Sequence, residues 1–250
     1  MNRFISRLYS ILAVFAIAPV MVSCFGNWGA FPNSLQGSGI AKTETREVAA
    51  FTRIDNSIAV DIEIITKKAQ TLELTGDDNL LQYIKTEVVG GTLVVSTGQQ
   101  FVDWSSVTPL RLKISMDMLE AVTNSGIGEI TASLVESTRL TVLLSGAGNI
   151  VMNNVKVNEL TTSISGVGRF QTNGTAERAT MNLSGAGSVQ ARSLSTQNAR
   201  VTVSGVGSAY VAVTQTLDAI VSGAGDIVYF GTPARVNSTV SGVGSVRQGN

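Results

Sequence analysis

Seven Ser-Gly-x-Gly tetrapeptides are the first candidates for chemistry in this chain of 250 residues. Glycine-rich loops can bind phosphate, and a serine becomes a nucleophile when a neighbouring base activates it. A dinucleotide-binding loop also needs a third glycine and a helix, and a phosphate-binding loop needs Gly-Lys-Ser/Thr, but neither accompanies the tetrapeptides. The chain has no histidine, which excludes Ser-His-Asp and Cys-His catalysis and His-ligated metals. We therefore expect the serine hydroxyls to satisfy backbone groups at a turn.

Carboxylates are the second candidates, because polysaccharide lyases and hydrolases use clustered acids. Calcium-binding β-rolls repeat Gly-Gly-x-Gly-x-Asp, and only SGAGD at 222–226 approaches that motif. If the tetrapeptides stack, one file of side chains follows them: Glu129, Asn149, Arg169, Ser188, Ser208, Asp226 and Ser245. The two acids of this file would stand roughly 24 Å apart at the strand spacing, too far for a catalytic pair. We predict no catalytic residue, no metal site and no cofactor.

Aromatic side chains could instead bind a sugar or a protein surface. Phe101 and Trp104 lie in the loop-like stretch QQFVDWSSVTP at 99–109, and they are the possible binding residues. A tryptophan in such a loop more often covers the hydrophobic core. The stretch therefore has two interpretations, a ligand platform and a cap.

The balance of charge excludes one class of partner. The chain has 18 basic and 18 acidic residues, whereas nucleic-acid binding needs a strongly basic face. We expect no nucleic-acid partner.

The first 23 residues have the organisation of a secretory signal. Two arginines precede an apolar run at 8–20 that is short for a membrane span. The sequence Met21-Val22-Ser23-Cys24 resembles the lipobox of bacterial lipoproteins, which implies cleavage before Cys24 and lipid attachment to it. An ordinary secretion signal followed by a free cysteine is the alternative. We interpret residues 1–23 as a lipoprotein signal peptide.

Residues 24–40 are rich in Gly, Asn, Ser and Pro, which predicts a flexible, lipid-attached tether. The acyl chains would hold the protein on a membrane. We expect the outer membrane of a bacterial cell envelope, and the sequence leaves the periplasmic and surface faces both open.

The spacing of the tetrapeptides predicts the elements that carry them. Their serines recur at intervals of 18 to 20 residues, at Ser125, Ser145, Ser165, Ser184, Ser204, Ser222 and Ser241. Each interval holds two short alternating runs and two turns, with no room for a crossover helix. The predicted fold is all-β: a single-domain β-solenoid, similar to a parallel β-helix, with about 19–20 residues per coil.

The glycines are predicted to be structural corners that stack on one another. A corner bends the backbone sharply and brings it close to its neighbour, and glycine suits both demands. The corner residues are Gly126, Gly128, Gly146, Gly148, Gly166, Gly168, Gly185, Gly187, Gly205, Gly207, Gly223, Gly225, Gly242 and Gly244. From position 147 onward the residue between the two glycines alternates between Ala and Val. We interpret this as large and small side chains alternating in a tightly filled stack.

Residues 41–121 alternate like strands but lack the tetrapeptide, whereas 122–250 contain all seven. We predict that 41–121 form a strand-rich N-terminal part of the head that caps the solenoid of 122–250. Within it, Gly90-Gly91 predicts a two-residue hairpin turn, and residues 77–81 predict one helical turn. No cap is visible at the other end, so we expect association with a second copy there, which sedimentation of the purified head would measure.

Several stretches together resemble the bacterial family known as putative auto-transporter adhesin, head GIN domain. They are GSGIAKTETREVAAFTRID at 37–55, DDNLLQYIKTEVVGGTLVVST at 77–97, PLRLKISMDMLEAVTNSGIGEI at 109–130 and the repeated SGAG and SGVG corners. The resemblance covers most of residues 37–250. It implies a β-solenoid-like fold and an exported, envelope-located protein of a kind common in the Bacteroidetes, and it supplies no catalytic site.

These patterns favour a non-catalytic cell-envelope lipoprotein that presents an extended β-solenoid surface. It would act as an adhesin-like module, a scaffold or a carbohydrate-binding module. Its expected partners are the membrane, through the lipid anchor, and a glycan, another envelope protein or a second copy through the solenoid ends. A polysaccharide-active enzyme, lyase or hydrolase, on a β-helix scaffold is the alternative.

Overall fold

Parallel pairing between segments about twenty residues apart dominates the fold. The computed structural model describes residues 34–98 and 103–250, so the predictions for residues 1–33, including Cys24, and for Phe101 lie outside the described residues. In the repeats Ala147 pairs with Val167, and Ala186 pairs with Val206. The predicted all-β solenoid is confirmed, with about six turns.

The described residues contain nineteen strands and one 3₁₀ turn. Before the repeats lie β1 Ser34–Gln36, β2 Ala41–Thr45, β3 Arg53–Asn56, β4 Asp61–Ile65, β5 Thr71–Asp77, the 3₁₀ turn Leu81–Tyr83, β6 Ile84–Val89, β7 Thr92–Thr97, β8 Asp103–Ser105 and β9 Arg111–Ser115. In the repeats lie β10 Ala121–Asn124, β11 Ile127–Ser133, β12 Glu136–Leu144, β13 Ala147–Ile164, β14 Val167–Leu183, β15 Ala186–Val203, β16 Val206–Val221, β17 Ile227–Phe230, β18 Arg235–Val240 and β19 Val246–Gln248.

Inward-facing side chains of successive coils stack in files that fill the core. One such file runs through Ile130, Ile150, Phe170, Val189, Ala209 and Ile227, all in register and at most 1% exposed. The large ring of Phe170 is followed by the smaller Val189 and Ala209, so neighbouring volumes compensate within the file. The alternation of apolar and polar residues in each coil therefore has its cause in this stack.

Close approach between neighbouring corners explains the glycines. A Cβ on Gly166 would overlap the carbonyl oxygen of Gly146, and the same clash with the previous coil recurs along the stack. Only four corner glycines, Gly128, Gly168, Gly207 and Gly244, have a positive φ that also disfavours a side chain. The main demand is thus space between coils, and unusual backbone conformation is the lesser one.

The residues between the paired glycines stack as predicted, but their packing role was interpreted wrongly. Their side chains point into solvent: Ile127 and Val167 are each 61% exposed, and Val206 is 62% exposed. The Ala/Val alternation therefore forms an exposed apolar ridge along the corners and fills no part of the core.

A further corner without glycine lies at residues 57–60, which corrects the expectation that the first part of the head has none. Ala59 pairs with Ile127, and β3 and β4 lie parallel to β10 and β11. Ile58 and Val60 occupy the two glycine places and are buried. On their other side β3 and β4 pair with β7, which ends at Thr97, and with β9, which begins at Arg111.

The cap is an insertion between the first coil and the rest. Arg53 of β3 pairs with Ala121 of β10, 68 positions later, where other coils are offset by about twenty. The inserted chain adds β7 and β9 parallel to β3 and β4, and then β5 and β6 antiparallel to β9 and β7. The Gly90-Gly91 hairpin turn is confirmed. The helical turn lies at Leu81–Tyr83, later than predicted.

The opposite end of the solenoid is built differently. There β18 pairs with β16, and β19 pairs with β17, and no described strand lies on their outer side. Association with a second copy through this end stays a prediction.

Asp77, at the end of β5, holds the cap loops together. Its side chain is fully buried and accepts hydrogen bonds from the backbone N–H groups of Gly39, Val107 and Thr108 and from the Ser106 hydroxyl. Burial acts to raise the pKa of Asp77, but the hydrogen bonds from Thr108, Val107 and Ser106 outweigh it and hold the pKa below its ordinary value.

Gly166→Ala should destabilise the solenoid by about 3 kcal/mol or more, because the new Cβ meets backbone that cannot move aside without breaking the parallel ladder. The measurement is the free energy of unfolding in denaturant. Val167→Ala, at the adjacent exposed position, is the control and should change stability by less than about 0.5 kcal/mol. Equal stability of the two variants would contradict the role given to the corner glycines.

Asp77→Asn should lower the denaturant midpoint at neutral pH, because an amide nitrogen cannot accept the N–H groups of the cap loops. Since the folded-state pKa of Asp77 is lowered, its contribution is present above the unfolded-state pKa and is lost as pH falls through the folded-state pKa. The difference from the native protein should therefore shrink in acid. Asp78→Asn, the exposed neighbour, is the control. A difference that stays constant from neutral to acid pH would refute this account.

Candidate binding groove beside the cap

The cap strands and the first coils share one sheet, and their outward side chains form a groove. The neighbouring strands are β5, β9, β4 and β11 in that order. A first row of side chains across them consists of Glu73, Lys113, Glu63 and Thr131, and a second row consists of Thr75, Arg111, Asp61 and Glu129. The groove between them has a volume of about 350 Å³.

Strict alternation along the strands places these side chains. In β4, Asp61 and Glu63 point outward, whereas Ile62 and Ile64 are buried. In β9, Arg111 and Lys113 point outward in the same way. Because the strands are in register, burial of the apolar positions forces every charged residue onto this one face.

Each cation of the groove has at least one carboxylate as its neighbour on an adjacent strand. Lys113 lies between Glu73 and Glu63, and Arg111 lies between Thr75 and Asp61. Among the described residues, no ion pair within 4.0 Å involves any of these side chains. The opposite charges lie on adjacent strands, but their charged nitrogen and oxygen atoms are more than 4.0 Å apart.

A second set of charged residues on adjacent strands, in the repeats, does form ion pairs. Glu159 is in register with Arg139 and Arg178 on the flanking strands and forms an ion pair at 3.0 Å with each. Hydrogen bonds from Arg139 and Arg178 hold the pKa of Glu159 below its usual range. Opposite charges on adjacent strands therefore form ion pairs at Glu159, whereas those of the groove form none among the described residues.

Two groove residues are fixed by hydrogen bonds. The Glu129 backbone N–H donates to Asp61 Oδ1 at 2.9 Å. The Thr75 hydroxyl lies 2.7 Å from that of Thr43 on β2. These bonds orient Asp61 and Thr75 in the second row of the groove.

The file predicted after the corners is confirmed from Glu129 to Ser208 by the register of the strands. Asp61, which continues this file beyond Glu129, was missed because its partner lies 68 residues away. One signal could have found it: NSIAVD at 56–61 aligns with NSGIGE at 124–129, with the acid at the same place after the serine.

Trp104 lies beside the cap and away from the groove. Its side chain is half-buried and packs against the hydrophobic core, next to a smaller cavity of about 170 Å³ that Asp77, Ser106 and Leu110 help to line. This position suits the interpretation as a cover over the core. A binding role for Trp104 stays a prediction, and Phe101 lies outside the described residues.

The groove offers carboxylate acceptors, Lys and Arg donors and Thr hydroxyls, which suits hydrogen bonding to a polar ligand. In the described part of the chain, no three or more His, Cys, Asp or Glu side chains are grouped so that they could hold a metal ion. Residues 34–98 and 103–250 also contain no helix with the length and apolarity of a membrane span.

Solved structures with the same fold come from Bacteroidetes. A "putative adhesin" from Bacteroides fragilis is 24% identical with a TM-score of 0.83, covering 86% of this chain and 99% of that one. A "putative lipid binding protein" and a "putative adhesin", both from Parabacteroides distasonis, are 25% and 26% identical, each with a TM-score of 0.65. They cover 87% and 86% of this chain and 100% of their own.

Comparison with protein-family models gives one match, and comparison with curated proteins gives no significant match. The family model described as "putative auto-transporter adhesin, head GIN domain" matches residues 50–233. That span includes the groove, the first coil and most of the corners. The chain therefore belongs to this family.

Proposed function

We propose that the chain is a non-catalytic, adhesin-like head of the bacterial cell envelope that binds a partner through an exposed sheet face. The observation that carries the proposal is the continuous face from β2 through β5, β9, β4 and β11 into the repeats. A surface of this kind presents many side chains at fixed spacing and can bind by extended area without a deep pocket. The family's description as an adhesin supports an envelope or surface location.

A polar partner, a glycan or an envelope protein, suits this surface better than a lipid. One relative is named as a lipid-binding protein. In the present chain the inward files are filled by side chains such as Phe170, which is fully buried. The groove of about 350 Å³ is lined mostly by charged residues. Burying an acyl chain against those charges would cost their hydration without replacing it.

The purified head should bind a polysaccharide or an envelope protein without changing it chemically. The measurement is retention on immobilised polysaccharides and envelope extracts, followed by product analysis of the same samples. Release of shortened or unsaturated sugars would contradict a non-catalytic role and would favour the glycan-active enzyme instead.

Lipid attachment at Cys24 is the second part of the proposal, and it rests on the sequence Met21-Val22-Ser23-Cys24. Cys24→Ala should move the protein from the membrane fraction to the soluble fraction of cells, because the thiol that carries the lipid is gone. Ser23→Ala, which keeps a small residue before the cysteine, is the control and should stay with the membrane. Membrane association that is unchanged in Cys24→Ala would refute the anchor.

A further inference from the structure

We infer that the groove formed by β5, β9, β4 and β11 is a saccharide site that selects sugars without negative charge, amino sugars above all. The inference rests on the proposed function, because it names the ligand that the adhesin-like head would bind.

The first support is that the charged side chains of the groove's first row form no ion pairs. Lys113 has a carboxylate on each side, Glu73 and Glu63, but forms no ion pair within 4.0 Å among the residues that the structure describes. Glu159 in the same register pattern forms two. If the groove charges served only to stabilise the sheet, we would expect them to form ion pairs as Glu159 does. The open arrangement leaves donors and acceptors facing a shared volume of about 350 Å³.

The second support is the pattern of hydrogen-bonding groups. A sugar hydroxyl both donates and accepts, so it needs a carboxylate on one side and a cation or hydroxyl on the other. The first row alternates in that way, as Glu73, Lys113 and Glu63 do, whereas Asp61 and Glu129 are adjacent in the second row. Bonds to charged partners are the stronger kind, so hydroxyls can replace water there.

The third support is the balance of formal charge. The groove holds the acids Asp61, Glu63, Glu73 and Glu129 against the two cations Arg111 and Lys113. The excess of negative charge repels phosphate, sulfate and uronate groups and attracts an ammonium group. Glu63 and Glu73 supply two of these acids, one on each side of Lys113.

The experiment measures binding of the purified protein to three oligosaccharides by titration calorimetry. Hexaglucosamine carries amines, maltohexaose is neutral and hexagalacturonate is anionic. Hexalysine serves as a cation without hydroxyls. We expect affinity to fall in the order hexaglucosamine, maltohexaose, hexagalacturonate, with hexalysine clearly weaker than hexaglucosamine.

The variants Glu63→Gln and Glu73→Gln should each weaken hexaglucosamine binding about tenfold, the loss expected for one charge-assisted hydrogen bond. Lys113→Gln should bind hexaglucosamine at least as tightly as the native head, because it removes a positive charge, and should bind maltohexaose more weakly. Glu159→Gln is the control, a half-buried carboxylate outside the groove on the same solenoid, and should leave both affinities unchanged. Thermal unfolding of each variant checks that the fold is intact.

Three results would overturn the inference: equal losses in Glu159→Gln and Glu73→Gln, tightest binding of hexagalacturonate, or hexalysine binding as tight as hexaglucosamine. The proposed function fails separately. If the native head binds none of the sugars but still binds an envelope extract, and Glu73→Gln binds it equally, the groove assignment is wrong while the adhesin-like role stands.

Discussion

The hydrogen-bonded contact between each coil and the next is the interaction on which the rest of the structure depends. Parallel strands must lie about 4.8 Å apart to share their backbone bonds, and that distance is imposed on the corners as well as on the flat faces. At the glycine positions of the corners, a Cβ would be directed at the previous coil. The clash between a Cβ on Gly166 and the Gly146 carbonyl oxygen shows how little room remains.

The groove is a product of the same constraint acting on an insertion. Because β9 pairs with β4 in parallel and β5 pairs with β9 in the antiparallel sense, the cap continues the sheet of the solenoid. Outward positions of the cap and of the first coil consequently share one face. The charged residues that meet there come from distant parts of the chain, between Asp61 and Glu129.

Much of the repeat region could be predicted from the sequence, because its pairing is local and periodic. The spacing of Ser125, Ser145 and the later serines gave the offset between coils, and the register from Glu129 to Ser208 followed from it. The position of each residue in the stack could be predicted from the sequence, but the direction of its side chain could not. Val167 and Val206 face solvent although their pattern suggested packing.

The groove could not be predicted from the spacing of residues, for a physical reason. The corner at 57–60 lacks glycine, so the motif that marks stacking is absent from the first coil. The pairing of β5 with β9 depends on tertiary contacts of the cap, and no repeat in the sequence indicates it. Asp61 and Arg111 therefore could not be placed together by counting residues.

The 68-position offset between β3 and β10 bears on how the chain assembles. Closing a loop of that length costs about 1 kcal/mol more in chain entropy than closing one of twenty residues. Each later coil needs only the short closure onto a template that already exists. In chain entropy alone, the contact between β3 and β10 is thus about fivefold less favourable than a contact between two later coils.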